Sequence, residues 1–369
     1  MRKIWSKQVF RIHRLAGLLA GLFLLLISAT GSMLVFNDEL DEALYHSAYH
    51  ISPGKNYLPL QQQFQAVRQL VQPDQPYLMA TRLPQSPDET TIIRAEYDAE
   101  RKVYFFVNPY TAQVVGQRGN TDYFMGKVLY FHFSLLSGKT GAQIILVMAI
   151  LLAISLLTGA WIYRHAFGKV LTFRVKLEWS HRNRRWRNLH RILGVWAILF
   201  NLVIVITGII MVQKVIDSRK GKLTASKEIP TNLDYDRLVT EARKAIPGLT
   251  VMGVRPPKKA DAPVRILGHA GESPIWGQFA SSVYFDNKTG EIQKVAAIHH
   301  AKFADKFAAI VPQLHFGNYG GLPLKIIWSL FGLAPGLLSL SGFLIWYRRK
   351  FIITSQRKSI HKGSLITDK

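Results

Sequence analysis

The 369-residue sequence contains no cysteine. That excludes disulfides, thiolate-ligated iron–sulfur clusters, covalent C-x-x-C-H haem attachment and a cysteine nucleophile. Histidine is the obvious ligand type left for any redox centre. Acidic residues are also scarce, 23 against 47 Lys and Arg, for a formal net charge of +24. In a soluble domain such an excess would suggest a nucleic-acid partner. Here the basic residues are clustered instead. Residues 1–14, 164–191 and 347–369 hold 21 of them and only two acids, Glu178 and Asp368. Short basic segments beside apolar spans are what the positive-inside bias produces, so all three are assigned to the cytoplasm and no nucleic-acid partner is expected.

Charge is missing altogether from four long runs: Leu15–Phe36, Gly141–Tyr163, Ile192–Val212 and Ile326–Tyr347. Each is long enough for the ~20 residues a membrane-crossing helix needs. The first has the basic start of a signal peptide, but its apolar run is too long and lacks a convincing small-residue cleavage site, so it reads as a retained anchor. The expectation is a multi-pass protein of a bacterial inner membrane with both termini cytoplasmic. In order, it has a basic segment with the first span (1–36), a periplasmic domain (37–140) and the second span (141–163). A basic loop (164–191), the third span (192–213), a second periplasmic domain (214–322), the fourth span (323–347) and a basic tail (348–369) follow.

The halves resemble each other. Ile12-His13-Arg14-Leu15-Ala16-Gly17 opens the first span and Leu189-His190-Arg191-Ile192-Leu193-Gly194 the third. His13 and His190 lie 177 residues apart, as do the glycines of Thr30-Gly31 and Thr207-Gly208. Tyr130-Phe131-His132-Phe133 parallels Gln313-Leu314-His315-Phe316, and Leu157-Thr158-Gly159 parallels Leu340-Ser341-Gly342, both at a spacing of 183. A repeat of this length argues for duplication and a pseudo-two-fold arrangement, with the axis along the membrane normal because both halves enter from the same side.

Each loop between spans carries α+β signals. Gln61–Val71 and Tyr235–Ile246 have helical spacing of apolar residues. Val103–Val107 leads into Asn108-Pro109-Tyr110-Thr111, and Val283–Phe285 into Asp286-Asn287-Lys288-Thr289-Gly290, each reading as strand, tight turn and strand. A helix on a small antiparallel sheet is predicted in each loop. The fold class is therefore an α-helical membrane protein: four transmembrane helices in two pseudo-two-fold-related halves, with two small periplasmic α+β domains.

The doubled His-Arg-x-x-Gly opening, the Thr-Gly pairs and the strand-turn-strand ends resemble the PepSY-associated transmembrane family from about Phe10 to Arg349. Ala112 departs from the pattern, standing where Gly290 stands in the second half. The resemblance implies PepSY-like domains and a relation to di-haem proteins that reduce ferric siderophores. It equally brings in a rival, a non-catalytic regulator whose PepSY domains bind a peptidase or another envelope protein.

On this footing four histidines become candidate ligands to the iron of two b-type haems. His13 and His190 would approach one another near the inner face and His132 and His315 near the outer face, each pair giving bis-imidazole ligation. A histidine beside an arginine at a helix entrance also suits the lipid headgroups. His165 is an alternative ligand at the inner site, and His181 a weaker one. Arg14 and Arg191 can pair with haem propionates or serve topology alone. The small-residue–glycine pairs allow close approach of helices or of a macrocycle, and Asn201 can bond to a neighbouring helix. His46 and His50, at i and i+4, can share a helix face as metal ligands, with no third ligand evident. The adjacent His299 and His300 cannot face one way on a regular element; they are surface residues or line a substrate site.

The leading reading is a haem oxidoreductase reducing a periplasmic ferric chelate, with a substrate surface near His315, Phe316 and Tyr319. No Gly-x-Gly-x-x-Gly fingerprint is present, so the electron donor is a separate reductase or a quinol. With no charged residue in the spans a transport pathway is hard to draw, and no H-E-x-x-H or nucleophile–base constellation supports a hydrolase.

Overall fold

A computed structural model describes residues 2–177, 182–219, 227, 229 and 231–352. The chain divides into two compact units, a helical one (residues 1–35, 143–212 and 326–369) and a sheet-containing one (36–142 and 213–325).

The helical unit is built from α1 (Arg2–Leu34), α6 (Gly138–Tyr163), α8 (Arg182–Ser218), α11 (Gly321–Gly332) and α12 (Ala334–Tyr347), with the short α7 (Phe167–Leu171) after α6. Among the described residues four stretches are long and apolar enough to cross a membrane: Trp5–Leu34, Gly138–Tyr163, Arg184–Ser218 and Gly321–Phe351. The helices overrun the apolar runs, so that His13 and His190 lie inside α1 and α8 and not at their ends. The fourth span is broken at Leu333, just before Pro335, whose missing N–H cannot bond the carbonyl one turn back. Next to this break α1 and α11 are tied reciprocally: Ser32 Oγ donates to Ser329 O at 2.9 Å and Ser329 Oγ to Ser32 O at 3.1 Å. Small residues at such crossings allow the backbones to approach, which is how apolar helices hold together without a hydrophobic driving force.

In the sheet unit, α2 (Asn37–Leu44) and α3 (His46–Tyr49) lead into α4 (Leu60–Leu70) and strands β1 (Tyr77–Arg82), β2 (Thr91–Glu96), β3 (Lys102–Val107) and β4 (Val114–Gly119). The second half repeats the plan with α9 (Tyr235–Ala245), β5 (Thr250–Arg255), β6 (Val264–His269), β7 (Ser281–Phe285) and β8 (Ile292–Ala296). Two further helices, α5 (Phe124–Ser134) and α10 (Phe303–Phe316), end the two halves.

The expected pair of separate small sheets is one sheet. Its order is β4-β3-β2-β1-β5-β6-β7-β8, an antiparallel meander from each half joined where Ala80 pairs with Val254. An open edge strand is a liability that pairing removes, and here each half closes the other's. The core is shared as well. Phe64 of α4 and Tyr235 of α9, both fully buried, meet edge to face at 5.3 Å over one continuous apolar cluster. Asp236 accepts from Leu60 N at 2.8 Å, so the two helices are also tied by their N-termini.

The turn equivalence survives in the backbone. Ala112 has φ 56° and Gly290 φ 72°. Each N–H closes the turn on the carbonyl four residues back, Asn108 at 2.9 Å and Asp286 at 3.0 Å.

Candidate functional site

The four repeated histidines come together in two pairs. In the helical unit the rings of His13 (α1) and His190 (α8) stand 6.2 Å apart, centroid to centroid, at an interplanar angle of 83°. In the sheet unit the rings of His132 (α5) and His315 (α10) stand 6.4 Å apart at 57°. Each pair takes one histidine from each half of the sequence.

The His13 and His190 rings are held through Nδ1. His13 Nδ1 lies 3.0 Å from Ser155 O, a group that can only accept, so this nitrogen carries the proton. Thr158 Oγ1 is 3.2 Å from the same nitrogen, its own proton donated to Ile154 O at 2.6 Å. In the other half His190 Nδ1 donates to Ser341 Oγ at 2.9 Å, while that hydroxyl donates to Leu338 O at 3.0 Å. Both rings are thus set in the tautomer whose Nε2 lone pair is available to a metal, the arrangement that orients ligating histidines elsewhere.

The glycines that follow make room. A Cβ on Gly159 would come within 3.2 Å of His13 Cε1, and one on Gly342 within 3.4 Å of His190 Cε1. Beyond allowing close approach, each pair thus combines a hydroxyl anchor with ring clearance, and the shared spacing of 183 is the sequence signal for it.

The two centroid separations match the length expected of two imidazoles that share one metal ion. With a metal–imidazole bond of about 2.0–2.1 Å and a ring radius of about 1.1 Å, two rings on opposite sides of one iron put their centroids about 6.3 Å apart. Among the described residues no group of three or more His, Asp or Glu side chains is placed to hold a free ion. A two-histidine site would instead draw its remaining coordination from the macrocycle.

The other candidates sit as follows. His165 is exposed in the turn after α6, and His181 lies outside the described residues. Arg14 is exposed on α1. Arg191 donates to Asn188 Oδ1 at 3.2 Å and keeps a buried Nε without a hydrogen-bond partner among the described residues. Asn201, expected to bond to a neighbouring helix, is buried with neither side-chain polar atom so paired. His46 and His50 stack at 4.4 Å, but not on an extension of the first helix, which stops at Leu34. The nitrogens of His50 face carboxylates instead, Nδ1 against Asp88 at 2.8 Å and Nε2 against Glu42 at 2.9 Å. His299 and His300 share a single 3₁₀ turn.

The helix that carries His132 also borders a cavity of about 770 Å³, lined by Glu100, Lys102, Asn120, Lys127 and Tyr130. Burial pushes the Tyr130 phenol up to about 12 and the Lys102 ammonium down. Arg219 pairs with Glu100 at 2.9 Å and lies 5.4 Å from the ring of Phe133, the residue after His132.

No curated protein matches the chain significantly. The model of one family does, from residue 10 to residue 349. This protein, with its four membrane-length helices and its separate antiparallel sheet, belongs to the family described as the PepSY-associated TM region.

Proposed function

We propose that the protein is an inner-membrane oxidoreductase that uses two b-type haems to reduce a periplasmic ferric chelate, such as a ferric siderophore, and so aids iron release and uptake. The observation that carries this reading is the meeting of repeat-related histidines in two pairs at 6.2 and 6.4 Å, a separation suited to bis-imidazole ligation.

His13 and His190 would hold one haem, and His132 and His315 the other. Bound there, b-type haem supplies one-electron transfer at a potential set by its axial ligands and their surroundings. Ser155, Thr158 and Ser341 fix the Nδ1 protons and so present Nε2. Arg14 and Arg191 supply cations for the propionates. Lys102, Lys127 and Tyr130 offer a polar, partly cationic wall to a chelate in the cavity beside α5. One electron delivered to Fe(III) lowers its charge by a third and weakens the hold of hard oxygen donors.

The charge pattern supports cytoplasmic termini and a periplasmic sheet unit, since the three basic segments flank the spans. The symmetric strand order and the pairing of β1 with β5 support a pseudo-two-fold relation between the halves. The donor is a separate reductase or a membrane quinol.

The test is an absorption spectrum of the purified full-length protein, oxidised and dithionite-reduced, with a pyridine haemochrome assay. Two b-haems per chain are expected. His13→Ala or His190→Ala should remove one and His132→Ala or His315→Ala the other. A colourless protein after expression with ample haem would overturn the reading and leave a regulator that binds an envelope protein.

A further inference from the structure

The face of the sheet away from α4 and α9 carries a row of cations. Cross-strand partners run Arg118, Tyr104, Arg94 and Met79 in one half, and Arg255, Arg265, Tyr284 and Lys294 in the other. Arg118 shows how this fold accommodates a half-buried guanidinium. It pairs with Asp41 and lies 3.6 Å from the ring of Tyr123 and 5.0 Å from that of Phe106.

At the seam between the halves a single carboxylate is shared by two of the cations. Arg255 stands directly opposite Arg265, and like charges so placed destabilise a sheet. Among the described residues one carboxylate lines the space, Glu96, and it is already committed, one oxygen to Arg94 and the other to Lys258, both at 2.6 Å. The Nε atoms of Arg94 and Arg265 are buried without a hydrogen-bond acceptor among the described residues. Four cations therefore face one spent acid around a cavity of about 530 Å³, a volume in the range of small-molecule sites. Burial, and then Arg265, push the Arg255 guanidinium down, as expected of a cation lacking its counter-charge. Aromatic rings hold the cations in place: Lys258 lies 4.6 Å from the ring of Tyr77 and Arg265 4.9 Å from that of Tyr284.

We propose that this seam cavity binds a small soluble oxyanion of two or more negative charges, a polycarboxylate or a phosphate. Guanidinium forks match carboxylate and phosphate oxygens in pairs, and rings behind them reduce the ordering cost of binding. The site draws Arg94 from one half and Arg255 and Arg265 from the other, so it exists only because the two sheets are joined. It does not depend on the redox reading.

The test is thermal unfolding of the full-length protein in detergent, followed by tryptophan fluorescence at constant ionic strength. Citrate and inorganic phosphate are compared with chloride. At millimolar concentration at least one of the two is expected to raise Tm by roughly 4 °C or more. The double variant Arg255→Gln/Arg265→Gln should melt no lower than the parent in chloride, because a repulsion is gone, and should lose the shift. Lys294→Gln, at the end of the row and outside the cavity, should keep it. Equilibrium dialysis of radiolabelled citrate or phosphate against the parent should show saturable binding. Three outcomes would overturn the proposal: an undiminished shift in the double variant, a double variant that melts lower in chloride, or no saturable binding of either anion.

Discussion

Ser341 Oγ lies 2.9 Å from His190 Nδ1 and donates its own proton to Leu338 O, so the serine acts on the ring only as an acceptor. Ser341→Ala removes that acceptor and frees the ring to turn or change tautomer. Outer-shell partners of this kind are worth about 10–100-fold in metal affinity. Haem retention at the His13–His190 site should fall by about that factor when the variant is challenged with apomyoglobin, with the His132–His315 site unaffected. Ser341→Thr should restore it. Equal haem loss from Ser341→Ala and the parent would exclude the anchoring role.

Gly159→Ala and Gly342→Ala act on the same rings by volume. Their methyls would meet His13 and His190 at 3.2 and 3.4 Å, tighter than ordinary contact. On the two-haem proposal, both should shift the electron paramagnetic resonance signal of the haem at His13 and His190 while leaving the haem content per chain unchanged. Unchanged spectra in both variants would show that the rings have slack.

His50 sets a pH dependence. Hydrogen bonds to Glu42 and then Asp88 raise its pKa above the unfolded value, which is about 6.5. Its contribution to stability is therefore complete below about 6.5 and lost as pH rises through the folded value. Asp88 shifts the other way, lowered by Ser86 and then His50. Its contribution is present above an unfolded value of about 3.9 and lost in acid. Tm should decline as pH rises from about 6.5 through the raised folded value of His50, and His50→Gln should flatten that limb. An unaltered alkaline limb in the variant would show that the clamp does not couple to folding.

Asp41 and Arg118 form an ion pair whose side chains are 5% and 12% exposed. Removing one partner strands the other, so Asp41→Ala should cost about 3–5 kcal/mol in denaturant unfolding. Asp41→Leu with Arg118→Met should cost much less. Equal losses from the single and the double variant would show that the charge left behind is not the cause.

Ala112 holds a left-handed backbone that costs a side-chain-bearing residue roughly 1–2 kcal/mol. Ala112→Gly should recover about 1 kcal/mol of stability. The reverse change, Gly290→Ala, should be costlier than backbone strain alone, because a Cβ there would also crowd Arg237 and approach Leu233.

Much of this architecture was legible because it rests on local chemistry repeated twice. The four charge-free runs, the helices at Leu60–Leu70 and Tyr235–Ala245, and the turns at Ala112 and Gly290 all follow from composition and short-range spacing. What remained hidden depends on partners distant in sequence. Nothing in Tyr77–Arg82 or Thr250–Arg255 distinguishes a strand that pairs with its counterpart from one left at an edge, so two sheets were expected where one exists. The helices α5 and α10 were also missed: their residues sit beside the spans, and α10 contains Pro312, which reads as a helix breaker. The repeat suggested which histidines correspond, but not that Ser341 and Thr158 would hold them.

The β1–β5 seam also bears on ancestry. A single half, expressed alone, would carry two solitary histidines, an unpaired strand edge and a helix lacking its counterpart. Its simplest remedy is a second copy of itself, aligned first strand to first strand. Duplication and fusion of such a gene would have converted a homodimer interface into the middle of one chain, after which the former copies were free to diverge. Ala112 against Gly290 is then a mark of divergence between the former copies. Separately expressed halves should accordingly recombine into one particle when mixed.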